Sequence, residues 1–312
     1  MPETRPTPIA TALVLLLAAC AERAPSTHRT SKPIAVALGG AEFATVHVAA
    51  TPRPYVFPLR APDGTPLTRA FPMEEVPGES GDHPHHQSLW FAHGDVDGFD
   101  FWHGSDRAER QELDGEAQHG IEDGVHVVRA AYRWLVDEGT VVATESREWR
   151  FGEEDGARYV DFRTTLSPST APLVFGDTKE GTFALRIHPA LRVEGEHATG
   201  TLTNSEGVSG RGAWGRRARW IHDVGSIDGQ TYGVALLDHP SNPRHPTWWH
   251  ARTYGLLAAN PFGRGAFEGE GSGELVVPVG ETLRLRYRVL LHAEGWDSDR
   301  VEQAWRRWAE QG

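Results

Sequence analysis

The stretch Gly124-Val-His-Val-Val-Arg-Ala-Ala-Tyr-Arg-Trp-Leu-Val136 is joined by Asp137-Glu138-Gly139 to Thr140-Val-Val-Ala-Thr-Glu-Ser-Arg-Glu-Trp-Arg-Phe151. Apolar and polar side chains alternate through both arms. That is the period of a strand with one buried face and one solvated face. The Asp-Glu-Gly link is a turn signal, so the stretch predicts a long antiparallel hairpin.

The same pattern recurs outward from it. Arg158–Leu166 predicts a third strand, and Thr182–Val193 and Tyr232–Asp238 two more. Leu283-Arg-Leu-Arg-Tyr-Arg-Val-Leu-Leu291 sets Leu, Leu, Tyr and Val against three arginines, as an antiparallel sheet allows. Upstream, Ile34–Leu38 and Phe43–Val48 alternate around Gly39-Gly40, and Tyr55–Leu59 precedes the turn signal Pro62-Asp63-Gly64. Only the tail has helical spacing, through Val301, Ala304, Trp305 and Trp308, with Asp299 as the expected cap. The expectation is an all-β chain: a large antiparallel β-sandwich of more than a dozen strands with a C-terminal helix.

Composition narrows the function classes. The chain has 312 residues, 24% of them charged, and a net charge of −12. It carries no dense Lys/Arg run, which excludes a nucleic-acid groove among its expected partners. The apolar run 10–19 follows Arg5, is too short to span a bilayer, and ends in Leu17-Ala18-Ala19-Cys20. Leu-Ala-Ala-Cys resembles the lipobox of bacterial lipoproteins. That resemblance implies a signal peptide over 1–20, lipidation of Cys20, membrane attachment through the lipid and a place in the cell envelope, on the periplasmic side of the outer membrane or at the cell surface. Residues 21–33 are polar with prolines and read as a flexible tether, leaving 34–312 as a single β-sandwich domain. Cys20 is the only cysteine, so the mature domain has no disulfide, thiolate ligand or cysteine nucleophile.

Three constellations carry chemistry. In Asp82-His83-Pro84-His85-His86, three histidines fall within four residues, bracketed by Trp90, Phe91, Phe99, Phe101 and Trp102. Imidazole donates, accepts and binds metals, and packing alone explains such a cluster poorly. The segment Asp177-Thr-Lys179-Glu180 leads into a strand on which Arg186 and His188 are expected to share one face. The third, Asp238-His239-Pro-Ser-Asn242-Pro-Arg244-His245-Pro-Thr-Trp248-Trp249-His250-Ala-Arg252, holds three prolines and reads as a rigid loop, its adjacent tryptophans suited to wall a ligand pocket. A salt-bridged strand edge and a core tryptophan are the competing readings of the second and third.

Arg53-Pro-Tyr-Val-Phe-Pro-Leu, Asp82-His-Pro-His-His, Gly98-Phe-Asp-Phe-Trp102, Lys179-Glu-Gly-Thr, Asp238-His-Pro-Ser-Asn-Pro-Arg and Asn260-Pro-Phe-Gly together resemble a bacterial family of unknown function often labelled "methane oxygenase PmoA". The resemblance covers roughly residues 50–295. It implies a secreted all-β protein similar to the galactose-mutarotase-like supersandwich, associated with carbohydrate metabolism. Sites of that kind use a histidine acid and a carboxylate base across a sugar ring.

The functional expectation is therefore a carbohydrate-active enzyme: an epimerase, lyase or hydrolase. His86 is the expected acid and Glu180 the base, with His83, Arg186 and His250 beside them. Arg69, Trp90, His188, His239, Trp248, Trp249 and Arg252 are expected to bind substrate. No cofactor is expected. One alternative is a metal-dependent oxygenase or hydrolase, holding a divalent metal through His83, His85 and His86. The other is a non-catalytic glycan-binding lipoprotein.

Overall fold

The computed structural model describes residues 1–3, 27–104 and 108–311. The signal-peptide and lipidation expectations, including Cys20, lie outside the described residues. The strands run in chain order β1 (His28–Thr30), β2 (Ile34–Leu38), β3 (Ala41–His47), β4 (Tyr55–Leu59), β5 (Leu89–His93), β6 (Arg110–Leu113), β7 (Ala117–Glu122), β8 (Val125–Val136), β9 (Thr140–Glu154) and β10 (Ala157–Pro168). They continue as β11 (Leu173–Phe175), β12 (Gly181–Arg186), β13 (Thr201–Asn204), β14 (Trp220–Ile227), β15 (Gln230–Asp238), β16 (Trp248–Arg252) and β17 (Leu256–Asn260). A one-turn helix α1 (Arg264–Glu268), β18 (Leu275–Val277), β19 (Leu283–Ala293) and the terminal helix α2 (Ser298–Ala309) complete the chain.

The two arms of the opening stretch are β8 and β9, antiparallel in the middle of a ten-stranded sheet ordered β1-β7-β8-β9-β10-β19-β15-β14-β13, with β6 also on β8. A seven-stranded sheet ordered β16-β17-β12-β5-β4-β3-β2 packs against it. The facing layers interlock through aromatic rings. Phe183 of β12 stacks at 4.9 Å on both Phe162 of β10 and Tyr287 of β19. Phe91 of β5 meets Phe162 at 5.2 Å. Such a cluster sets the sheet spacing and supplies much of the apolar burial. The all-β sandwich with a C-terminal helix is thus the observed architecture.

Four local expectations need correction. His28–Thr30, inside the segment read as a tether, pairs with Ala117–His119. The strand expected over 182–193 stops at Arg186, because Pro189 has no N–H for a ladder and opens a single 3-10 turn instead. The rigid loop expected over 238–252 becomes strand β16 from Trp248 onward, once its prolines are passed. The cap of α2 is Asp297, whose side chain accepts from the Arg300 amide at 2.9 Å, and Asp299 lies in the first turn.

Candidate active site

The site lies on the outer face of the seven-stranded sheet. Alternation sends Phe183 and Leu185 of β12 inward and Ala184 and Arg186 outward. Register then places Trp90, Ala184, Ala258 and His250 in one lateral row across β5, β12, β17 and β16. Arg186, Leu256 and Arg252 form the next row. The two alanines leave room between larger neighbours. A cavity of about 270 Å³ sits here, lined by His83, His85, His86, His103, Lys179, Glu180, His250, Arg252 and Tyr254. That is just below the usual range of small-ligand sites, roughly 300–1,000 Å³, and suits one sugar ring rather than a larger molecule.

Arginines hold the histidine loop in place. Arg69, buried, donates to the carbonyls of Phe71 (3.1 Å), Asp82 (2.8 Å) and His83 (3.0 Å) and to the Asp82 carboxylate. Arg53, also buried, donates to the carbonyls of Phe101 and His103 at 3.2 Å each and to that of His85. It thereby brings the His85 and His103 rings to 4.3 Å. Below the loop, Trp90 stacks on His86 at 5.3 Å, and His86 on His83 at 4.7 Å. Glu180 is seated by its own backbone. Its carbonyl accepts from the Gly94 amide at 2.7 Å, and a Cβ at Gly94 would come within 2.7 Å of the Glu180 Cβ. Only glycine permits that approach. Asn260 braces the same segment, donating to the Thr178 carbonyl at 2.8 Å.

Two Arg–His contacts fix the protonation of the rings. Arg186 lies 3.2 Å from His86 Nδ1 and can only donate, so that nitrogen accepts and the proton sits on Nε2. Arg252 Nε donates to His250 Nε2 at 3.0 Å, which leaves the proton on Nδ1, 3.8 Å from Glu180 Oε2. Burial, then the adjacent His85 and the Arg186 charge, push His86 far below the ordinary histidine range. Burial and Arg252 push His250 down to about 3, and burial with His103 pushes His85 to about 3. All three are neutral at ordinary pH. His86, the residue expected from sequence as the acid, thus offers a neutral N–H. Glu180 pairs with Lys179 Nζ at 2.5 Å. The Asp82 carboxylate takes Arg186 at 2.8 Å and stands 3.1 Å from His83 Nδ1.

The structure therefore brings together His83, His86, Glu180, His250 and Arg252, with Arg186 and Trp90 directly behind His86. The other expected substrate ligands stand elsewhere. Arg69 spends its donors on the loop it holds. His188 accepts from the Ala190 amide at 3.2 Å as the cap of its 3-10 turn. His239 sits edge-on to Trp308 of α2 at 4.9 Å. Trp249 is core and donates to the Ala218 carbonyl at 2.9 Å, and Trp248 donates to Glu268 at 2.9 Å. Neither tryptophan lines the cavity. Lys179, His103 and Tyr254 line it as well, beyond the substrate ligands the sequence suggests. Tyr254 stands two residues past Arg252 on the β16–β17 turn, where the Arg186 guanidinium lies 4.6 Å over its ring. Among the described residues, no three His, Cys, Asp or Glu side chains are arranged to hold a metal ion, so the metal-centre alternative finds no ligand set there.

Residues 33–306 match the model of DUF6807, a family of unknown function, and the chain belongs to that family. The family description names no activity. No curated protein matches the chain. Among solved structures, the GH36 alpha-galactosidase AgaA from Geobacillus stearothermophilus aligns at 10% identity with a TM-score of 0.44, over 85% of this chain and 41% of that one. The chain thus spans less than half the length of that protein.

Proposed function

We propose that this DUF6807 member is a carbohydrate-active enzyme that moves a proton on an acidic sugar held in the histidine cavity. Glu180 is the proton acceptor, and His86 Nε2–H is a neutral donor to a sugar oxygen that gains charge as the proton leaves carbon. Arg252 and Lys179, both on the cavity wall, match a sugar carboxylate. The observation that carries this reading is the paired Arg–His arrangement. Each arginine takes up one ring nitrogen and leaves the other as an N–H in a ring that lines the same cavity as a carboxylate.

The test is solvent-deuterium exchange into galacturonic and glucuronic acids and their oligomers, followed by proton NMR. Loss of a carbon-bound proton signal is expected with the wild type. Glu180→Gln should slow it on the order of 10²–10⁴-fold. Binding without exchange in any of these sugars would make the protein a glycan-binding module and sink the enzyme reading. The place of the domain in the cell is a separate proposal, supported by Leu17-Ala-Ala-Cys20: a lipid on Cys20 anchors it in the cell envelope. Cys20→Ser should abolish metabolic labelling with palmitate, and continued labelling would refute the anchor.

A further inference from the structure

A second cleft, of about 650 Å³, adjoins the histidine cavity and is lined by Trp214, Phe267, Arg211, Arg216, Arg217 and Glu268 among others. The two spaces share a wall. Arg252 lines the histidine cavity, and its guanidinium lies 5.3 Å over the Trp214 ring on the other side. The His250 ring stands 6.2 Å from Phe267. We propose that this cleft is a second subsite, which takes a further acidic residue of an oligosaccharide whose neighbouring unit occupies the histidine cavity. The proposal rests on the reading of that cavity given above.

The aromatic wall is built for a ring. Trp214 and Phe267 meet edge-on at 5.3 Å and 80°, and both are only half-buried, so one face of the corner remains open. Gly215 makes the corner possible. It adopts φ +68°, and a Cβ there would press within 3.2 Å of the Phe267 Cβ. The Trp214 Nε1 is buried and has no hydrogen-bond partner.

The charge argues for an acidic unit. Three arginines line the cleft against one acid, in a chain whose net charge is −12. Two of them are already engaged. Arg211 grips Glu194 through two bonds of 2.6 Å, and Arg217 donates to the carbonyls of Pro246 and Arg244 at 2.9 Å while stacking on Trp248. Glu268 is held by Trp248 and by Arg264 at 3.0 Å. Arg216 is different. It is exposed, and no hydrogen bond or ion pair holds its guanidinium among the described residues. A planar fork beside an aromatic corner suits a ring that carries a carboxylate.

The experiment is titration calorimetry of the whole domain with galacturonic acid, tri-galacturonic acid and neutral maltotriose, using wild type, Trp214→Ala and Arg216→Gln. The acidic trimer is expected to bind the wild type about tenfold tighter than the monomer, or better. Trp214→Ala and Arg216→Gln should each erase most of that gain, and Arg216→Gln should leave monomer affinity unchanged. Arg216 is exposed, so its variant stays informative should the tryptophan variant fold poorly. A trimer that binds no tighter than the monomer, or a gain that survives in both variants, overturns the second subsite alone. An equal gain for maltotriose overturns its acidic preference. Failure of galacturonic acid, and of glucuronic acid titrated alongside it, to bind at all overturns the reading of the histidine cavity, and this subsite with it.

Discussion

Asp82-His83-Pro84 and Asp238-His239-Pro240 are the same residues in the same order, and the fold uses them in opposite ways. Asp238 is fully buried, and its carboxylate accepts from Asn242 Nδ2 at 2.7 Å, the Thr247 amide at 2.9 Å and His245 Nδ1 at 2.7 Å. Those donors lie four, nine and seven residues away, within one loop. Trp305 of α2 donates to the Asp238 carbonyl at 2.9 Å, so the loop is the socket of the terminal helix. Asp82 is about one-third exposed, and its partners come from far off in the chain: Arg69, 13 residues away, and Arg186, 104 away. A carboxylate satisfied by its own loop closes a structural joint. One that a strand and a separate loop reach from outside holds a cavity wall, with imidazoles beside it that line the cavity.

The largest break in this contrast should come from Asp238→Ala. It strands three donors in a buried loop, and urea denaturation should show a loss of about 3–5 kcal/mol. A loss under about 1 kcal/mol would refute the role of anchor. Asp82→Ala should do the reverse, with a smaller shift in the urea midpoint and a fall in deuterium exchange of about 10–100-fold, since it frees the arginine that fixes His86. Nitrogen-15 NMR of the His86 ring should find Nε2 protonated in the wild type, and a mixture of tautomers in Arg186→Met would confirm what holds it there. His239→Ala should cost only about 1 kcal/mol, the edge-on contact with Trp308, with exchange activity intact.

The finest test uses pH. Partial burial raises the Asp82 carboxyl, but Arg186 and Arg69 outweigh it and leave it below the ordinary range. Burial pushes Asp238 up, more than the bonds from His245 and Asn242 pull it down. With a lowered folded value, the unfolded chain takes the proton first. The Asp82 contribution is therefore complete above about pH 4 and lost as pH falls through the folded value. With a raised value, the folded state takes the proton first. The pH-linked part of the Asp238 contribution is complete below about pH 4 and lost as pH rises through the folded value, while the hydrogen bonds that anchor the loop remain at neutral pH. On acidification, the stability gap between wild type and Asp82→Asn should close, while wild type gains on Asp238→Asn. Parallel curves for the two variants would erase the distinction.

Periodicity alone determined the sandwich. Alternation over 124–151 and 283–291 is a local property, since one buried face demands a period of two wherever the strand ends up. The residue types of the site were legible for a similar reason: a His-Pro-His-His run and a Lys-Glu pair are poor packing material. What the sequence left open was which of them meet. Trp248 and Trp249 look like pocket walls until register places one in the core and the other against Glu268. His188 and Arg186 look like neighbours on one face until the strand stops at Arg186 and His188 becomes the cap of the 3-10 turn that Pro189 opens. Tyr254 carries no local signal at all. It enters the cavity because β16 and β17 turn beside Arg186, 68 positions earlier in the chain. Likewise the protonation of His86 depends on an arginine 100 residues away. Strand pairing across such distances is decided by the packed core as a whole, so only the tertiary structure could separate the Asp-His-Pro that holds a helix from the one that holds a site.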